Sequence, residues 1–157
     1  FEYVIHPNAS VVGIVDYAHT PDALEKVLET INQLKKSSSR VITVVGCGGD
    51  RDKSKRPIMA QVSVRFSDMV FFTSDNPRTE DPNQILRDME TGLDEQTQKK
   101  VVIIENRAQA IKAACKMAQN QDIVLVAGKG HEKYQEIGGI KHPFDDKAIL
   151  MQMLETK

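Results

Sequence analysis

Five short apolar runs, each followed by residues in helical spacing, limit the folds open to this chain more than any other feature. They occupy residues 11–15, 41–45, 69–73, 101–104 and 123–126. Runs this continuous leave no polar face for water, so each reads as a strand buried on both sides. After the first, Thr20 caps and Pro21 opens a helix with Leu24, Val27, Leu28, Ile31 and Leu34 on one stripe. Pro57 starts a second, carrying Ile58, Met59, Val62 and Phe66, and Pro82 opens a third with Ile85, Leu86 and Met89. Asn106 caps a fourth through Ala110, Ile111, Ala114 and Met117, and a last amphipathic helix runs over about 145–154. Gly138-Gly139, between 134–137 and 140–144, reads as a hairpin turn. Strands alternating with helices imply a doubly wound α/β domain, its mostly parallel sheet covered by helices on both faces.

Composition narrows the function more than the fold. A net charge of −1 gives no reason to expect a nucleic-acid or anionic-membrane partner. No apolar run is long enough to cross a bilayer. Cys47 and Cys115 lie too far apart in sequence for a metal motif, so a reduced, cytoplasmic protein is expected. The chain opens on Phe1 rather than methionine, which fits a piece of something larger or the removal of a tag. No linker or repeat divides it, and 1–157 reads as one domain.

In an open parallel sheet, ligands bind beyond the carboxyl ends of the strands. Four loops at those ends are rich in polar groups. In Asp16-Tyr17-Ala18-His19-Thr20-Pro21, Asp16 can accept from sugar hydroxyls, and Tyr17 and His19 offer flat faces to a base; a plain capping turn is the alternative. In the loop spanning 46–57, glycines let backbone amides approach an anion, and Arg51, Lys53, Lys55 and Arg56 surround them. The loop matches neither a Walker A motif nor GxGxxG, and a solvated charge cluster explains it equally well. Ser74-Asp75-Asn76-Pro77-Arg78 presents a cation on a proline-stiffened loop, suited to a bidentate grip on a carboxylate or phosphate. Gly128-Lys129-Gly130-His131-Glu132 lacks the earlier glycine of a P-loop, and Glu132 can instead meet a ligand ammonium. His131 is read as structural, and His6 and His142 carry no functional expectation. An arginine for carboxylate and a glutamate for amine, converging on one edge, suit a zwitterionic amino acid.

These four motifs together resemble the C-terminal domain of the Mur ligases, most closely their meso-diaminopimelate-adding branch, from about Tyr3 to the last helix. The resemblance implies one C-terminal amino-acid-binding domain of a larger three-domain, ATP- and Mg2+-dependent ligase. The other two domains, which would hold UDP-N-acetylmuramoyl-dipeptide, the P-loop and the metal, are absent from this sequence. It further implies that Arg51, Asp75, Asn76, Pro77, Arg78, Gly128 and Glu132 bind meso-diaminopimelate. Asp16, Tyr17 and His19 would contact the nucleotide, and the chain alone would not be catalytic. Three alternatives stay open: a lysine-adding or folylpolyglutamate-synthetase-like domain, a stand-alone binding module, and an oxidoreductase disfavoured by the missing GxGxxG. Arg78 favours diaminopimelate over lysine, because lysine has no distal carboxylate to pair with it.

Overall fold

The order in which the strands enter the sheet decides where the four loops meet. The computed structural model describes residues 2–4 and 10–156; His6 lies outside them. Its strands are β1 (Glu2–Val4), β2 (Val12–Asp16), β3 (Val41–Val45), β4 (Met69–Phe72), β5 (Val101–Ile103), β6 (Ile123–Ala127), β7 (Tyr134–Ile137) and β8 (Ile140–Pro143). The helices are α1 (Pro21–Leu34), α2 (Arg56–Phe66), α3 (Pro82–Glu90), α4 (Glu95–Gln98), α5 (Arg107–Met117) and α6 (Asp146–Glu155), with a 3-10 turn at Lys53–Lys55. The main sheet has six strands in the order β1-β2-β6-β3-β4-β5. All its pairings are parallel except that of β1 with β2.

The strands carry apolar residues on both faces, as their continuous runs require. In β3, Val41 and Val45 pack with Leu24, Leu28, Ile31, Met59 and Met89 of α1, α2 and α3. Ile42 and Val44, pointing the other way, pack with Ala110, Ile111, Ala114 and Leu150 of α5 and α6. Side-chain oxygens of Thr20, Asp81, Asn106 and Asp145 each accept a backbone N–H at the start of α1, α3, α5 and α6. The doubly wound architecture is therefore as expected from the sequence.

Three details differ. β1 was not anticipated: it is only three residues long and joins the edge antiparallel, outside the strand–helix rhythm. The run at 101–104 is not buried on both sides: β5 is the opposite edge strand, and Val102 and Ile103 are exposed. The short helix α4 has an Asp94–Thr97 capping box but no buried residue, so it leaves no apolar period to read.

α1 carries the chain from β2 past a vacant position to β3, and α5 returns it along the opposite face so that β6 fills that position. The carboxyl ends of β2, β6, β3 and β4 thereby stand side by side. This is the kind of reversal at which open α/β sheets form a ligand crevice.

Candidate functional site

A cleft of about 300 Å³ opens at this edge, lined among others by Tyr17, His19, Arg51, Asp75, Asn76, Arg78, Gly128 and Glu132. All four loops contribute. Asp16 and Pro77, expected with them, are not on its wall. The Asp16 carboxylate accepts the Ala18 N–H at 2.8 Å, closing the turn beneath Tyr17. Pro77 lines a separate hollow behind the loop with Ser74, Pro82 and Phe144. His131, expected to be structural, is exposed.

In the 46–57 loop, Gly46 and Gly48 line the cleft, while Gly49 lets two loops touch. A Cβ on Gly49 would sit 1.8 Å from the Pro77 carbonyl oxygen. With hydrogen there instead, the Gly49 N–H donates to the Asn76 carbonyl at 2.8 Å. Of the loop's four cations, Arg51, Lys55 and Arg56 line the cleft, and Arg56 alone is buried. Arg56 is buried at the start of α2, donating to Glu80 at 2.7 Å, Asp88 at 2.9 Å and the Gly48 carbonyl at 3.2 Å. Glu80 also accepts the Asp50 N–H, while the Thr79 hydroxyl donates to Asp50. The Arg56 and Asp50 hydrogen bonds hold the Glu80 carboxyl down at about 2. Arg51, in contrast, stays exposed at the cleft wall, its Nη1 donating to the Asp50 carbonyl at 2.9 Å.

Arg78 adopts a left-handed backbone, φ 55°, uncommon for a residue with a side chain. The hairpin β7–β8 holds it there: the Arg78 N–H donates to the Glu136 carbonyl at 2.9 Å, and the Gly138 N–H donates to the Arg78 carbonyl at 2.7 Å. Its guanidinium Nη1 donates to the Gly49 carbonyl at 2.9 Å, and Nε lies 3.9 Å from the Glu136 carboxylate. Nη2 has no hydrogen-bond partner among the described residues. The arginine is thus aimed by its neighbours and keeps one donor pair available.

Asp75, Asn76 and Glu132 line the same cleft. Burial foremost pushes the Asp75 carboxyl up, while Arg107 and Lys129 pull the other way. Gly128 has φ 116°, and a Cβ there would meet an Asp75 carboxylate oxygen at 2.7 Å, so the position needs glycine twice over. Cys47, also on the wall, has its thiol raised to about 12 by burial and then by Asp75, which keeps it protonated and no nucleophile. At the rim, the Tyr17 and His19 rings meet edge-on with centroids 4.6 Å apart.

Two residues that shape this wall were not anticipated. Arg107 and Asp146 form a fully buried bidentate pair with bonds of 2.8 and 2.7 Å. The remaining Arg107 donors reach the carbonyls of Ser74 and Ala127, both at 3.1 Å. Arg107 therefore staples together the ends of β4 and β6, from which the Asp75 and Gly128 loops leave. Only its place, directly after the Asn106 cap and close to a strand end, marks it in the sequence. Among the described residues no group of three His, Cys, Asp or Glu side chains can hold a metal ion.

The family model for the Mur ligase, glutamate ligase domain matches residues 1–130. The chain belongs to the Mur ligase family. It is 58% identical over 146 residues to the UDP-N-acetylmuramoyl-L-alanyl-D-glutamate–2,6-diaminopimelate ligase of Cytophaga hutchinsonii, covering 93% of this chain and 30% of that protein. The Phocaeicola vulgatus protein of the same name is 59% identical over 145 residues, covering 92% and 30%. A solved structure of a ligase of that name superposes with a TM-score of 0.90 at 44% identity, over 99% of this chain and 31% of that one. The chain thus spans about 30% of the length of these Mur ligases. No helix among the described residues is long and apolar enough to cross a membrane.

Proposed function

We propose that this chain is the C-terminal, amino-acid-binding domain of a three-domain ligase that joins meso-diaminopimelate to UDP-N-acetylmuramoyl-L-alanyl-D-glutamate in the cytoplasm, at the expense of ATP. One observation carries the reading: a single cleft lined by an aimed guanidinium, Arg78, together with the carboxylates of Asp75 and Glu132, in a chain that the family model matches over residues 1–130. Such a cleft complements a ligand bearing a carboxylate at one end and an ammonium at the other.

In the reaction, ATP activates the D-glutamyl carboxylate as an acyl phosphate, an amine of the amino acid attacks the acyl carbon, and phosphate leaves as the amide forms. This chain's part is positional. Arg78, assisted by Arg51, grips the distal carboxylate, and Asp75 and Glu132 accept the ammonium beside it, with the Asn76 amide steadying Glu132, so the other amine faces the acyl group in one orientation. Lysine would leave Arg78 unpaired, which disfavours it. Tyr17 and His19 would face the ATP base, with Asp16 toward the ribose. Among the described residues no cluster of His, Cys, Asp or Glu fits Mg2+, which this reading assigns to the rest of the ligase.

Calorimetric titration of the full-length ligase with meso-diaminopimelate and with lysine tests the reading. Binding of the first with at least about tenfold preference is expected, corresponding to about 1.4 kcal/mol. Equal binding of both, or of neither, would sink it. A narrower prediction concerns Asp16. Asp16→Ala should raise the KM for ATP and leave the KM for the diamino acid unchanged, a lost charge-assisted bond being worth about 1.5–3 kcal/mol. An unaltered ATP dependence would leave Asp16 as the turn residue that its bond to Ala18 already makes it.

A further inference from the structure

Lys129 is fully buried, in the loop that lacks the earlier glycine of a P-loop. Its ammonium donates to Asn76 Oδ1 at 2.9 Å and to Glu132 Oε1 at 3.0 Å, and lies 3.8 Å from Asp75 Oδ1. The Tyr134 ring lies beneath it, 5.3 Å from centroid to Nζ. Burying a lysine is costly unless its charge is met from several sides, and here it is. We propose that Lys129 is a positioning residue for the amino-acid site, locking the Asn76 amide and turning one Glu132 oxygen inward so that the other is left for the ligand's ammonium. The inference rests on the amino-acid-site reading above.

The hydrogen bonds fix the arrangement without freedom to invert. Asn76 Oδ1 accepts both the Lys129 ammonium and the Glu136 N–H, each at 2.9 Å. Its Nδ2 must then point the other way, where it donates to Glu132 Oε1 at 3.2 Å. That oxygen is therefore held by two donors, whereas Oε2 has no hydrogen-bond partner among the described residues. Without the ammonium, Glu132 Oε1 keeps only the Asn76 amide as donor, and the carboxylate is free to turn away from the cleft.

The charges lead to the same conclusion. Asp75 faces Lys129 and Glu132 from the loop after β6, Arg107 from α5, Asp146 from α6 and the protonated Cys47 from the loop after β3. Arg107 and Asp146 cancel within their own pair. Asp75 and Glu132 against Lys129 leave one negative charge, which a ligand ammonium neutralises. Methionine at 129 would leave two carboxylates with no cation of their own. One of the two cations opposing the burial of Asp75 would be lost, Arg107 remaining, so its carboxyl would rise further. The ionised acceptor would then exist only at higher pH.

The test is steady-state kinetics of the full-length ligase with meso-diaminopimelate over a pH series at saturating ATP. K129M should raise the KM for the diamino acid about tenfold or more, the scale of one lost charge-assisted contact. Its kcat and the KM for ATP should stay within about threefold, a range too small to reflect a second lost contact. The acid limb of kcat/KM should move to higher pH, and K129R, which retains the charge, should return that limb toward the wild-type position. Thermal melting of each variant checks folding, with K129Q replacing K129M if the latter does not fold. A neutral variant with wild-type KM and pH profile would overturn the proposal. So would the failure of both neutral variants to fold, since Lys129 would then be serving the core. A wild-type enzyme that does not use meso-diaminopimelate would remove the parent reading, and this inference with it. An active wild type with an indifferent K129M removes this inference alone.

Discussion

Arg78→Ala in the full-length ligase is expected to lower kcat/KM for meso-diaminopimelate by roughly 10²-fold or more, the scale of a lost bidentate charged pair. The guanidinium is held by the Gly49 carbonyl and flanked by Glu136, so little ordering remains to be done when a carboxylate arrives. Lysine use should stay flat or rise only modestly, because removing a carboxylate partner does not create an ammonium site. Arg78→Lys should recover little, since one ammonium cannot hold Gly49 and fork onto a carboxylate together. Position 78 also sits at φ 55°, a strain of about 1–2 kcal/mol that alanine shares with arginine but must bear without the guanidinium bond to Gly49. The KM for ATP separates the two effects: loop distortion would disturb both substrates, loss of the carboxylate contact only one. A mutant that handles diaminopimelate like the wild type would reduce this loop to a turn.

The largest effect on stability is expected at the buried pair behind the site. Arg107→Ala leaves the wholly buried Asp146 carboxylate without its cation and strips donors from the Ser74 and Ala127 carbonyls. Breaking one side of such a pair costs about 3–5 kcal/mol. For a domain of this size that lowers the melting temperature by roughly 10 °C. Replacing both charges, as in Arg107→Met with Asp146→Leu, should recover most but not all of the loss, because those two carbonyls stay unpaired. Differential scanning calorimetry of the single and double variants decides the point. A single variant melting within about 2 °C of wild type would mean a cost of only about 1 kcal/mol, and the staple would not matter.

What could be read from the sequence, and what could not, divides along physical lines. Helix starts were legible because capping is local: Thr20, Pro82 and Asn106 act within a turn of themselves. Strand positions were legible from continuous apolar runs, yet such runs carry no information on neighbour order, so the place of β6 between β2 and β3 could not be derived. The convergence of Arg78, Asp75, Asn76, Gly128 and Glu132 followed from the rule about strand ends and holds in the cleft. Arg56, Arg107 and Lys129 were misjudged or missed for one shared reason. Charged residues are expected in water, and only tertiary partners such as Glu80, Asp146 and Asn76 make their burial tolerable. Asp16 and Pro77 matched the motif but not the cleft wall, since a motif fixes chain position and not side-chain direction.

The position of β6 also governs how the domain assembles. The strand at the sheet's centre is the last main-sheet strand to be synthesised, and until it arrives β2 and β3 have no partner in each other. A nascent chain ending before residue 123 holds β3, β4 and β5 on one side and β1 with β2 on the other, with nothing between them. Closing so distant a pairing carries a loop-entropy cost before any contact repays it, so folding waits on β6 and is slow relative to a helical bundle. The cleft, whose floor is the end of that strand, comes into being in the same step as the sheet itself.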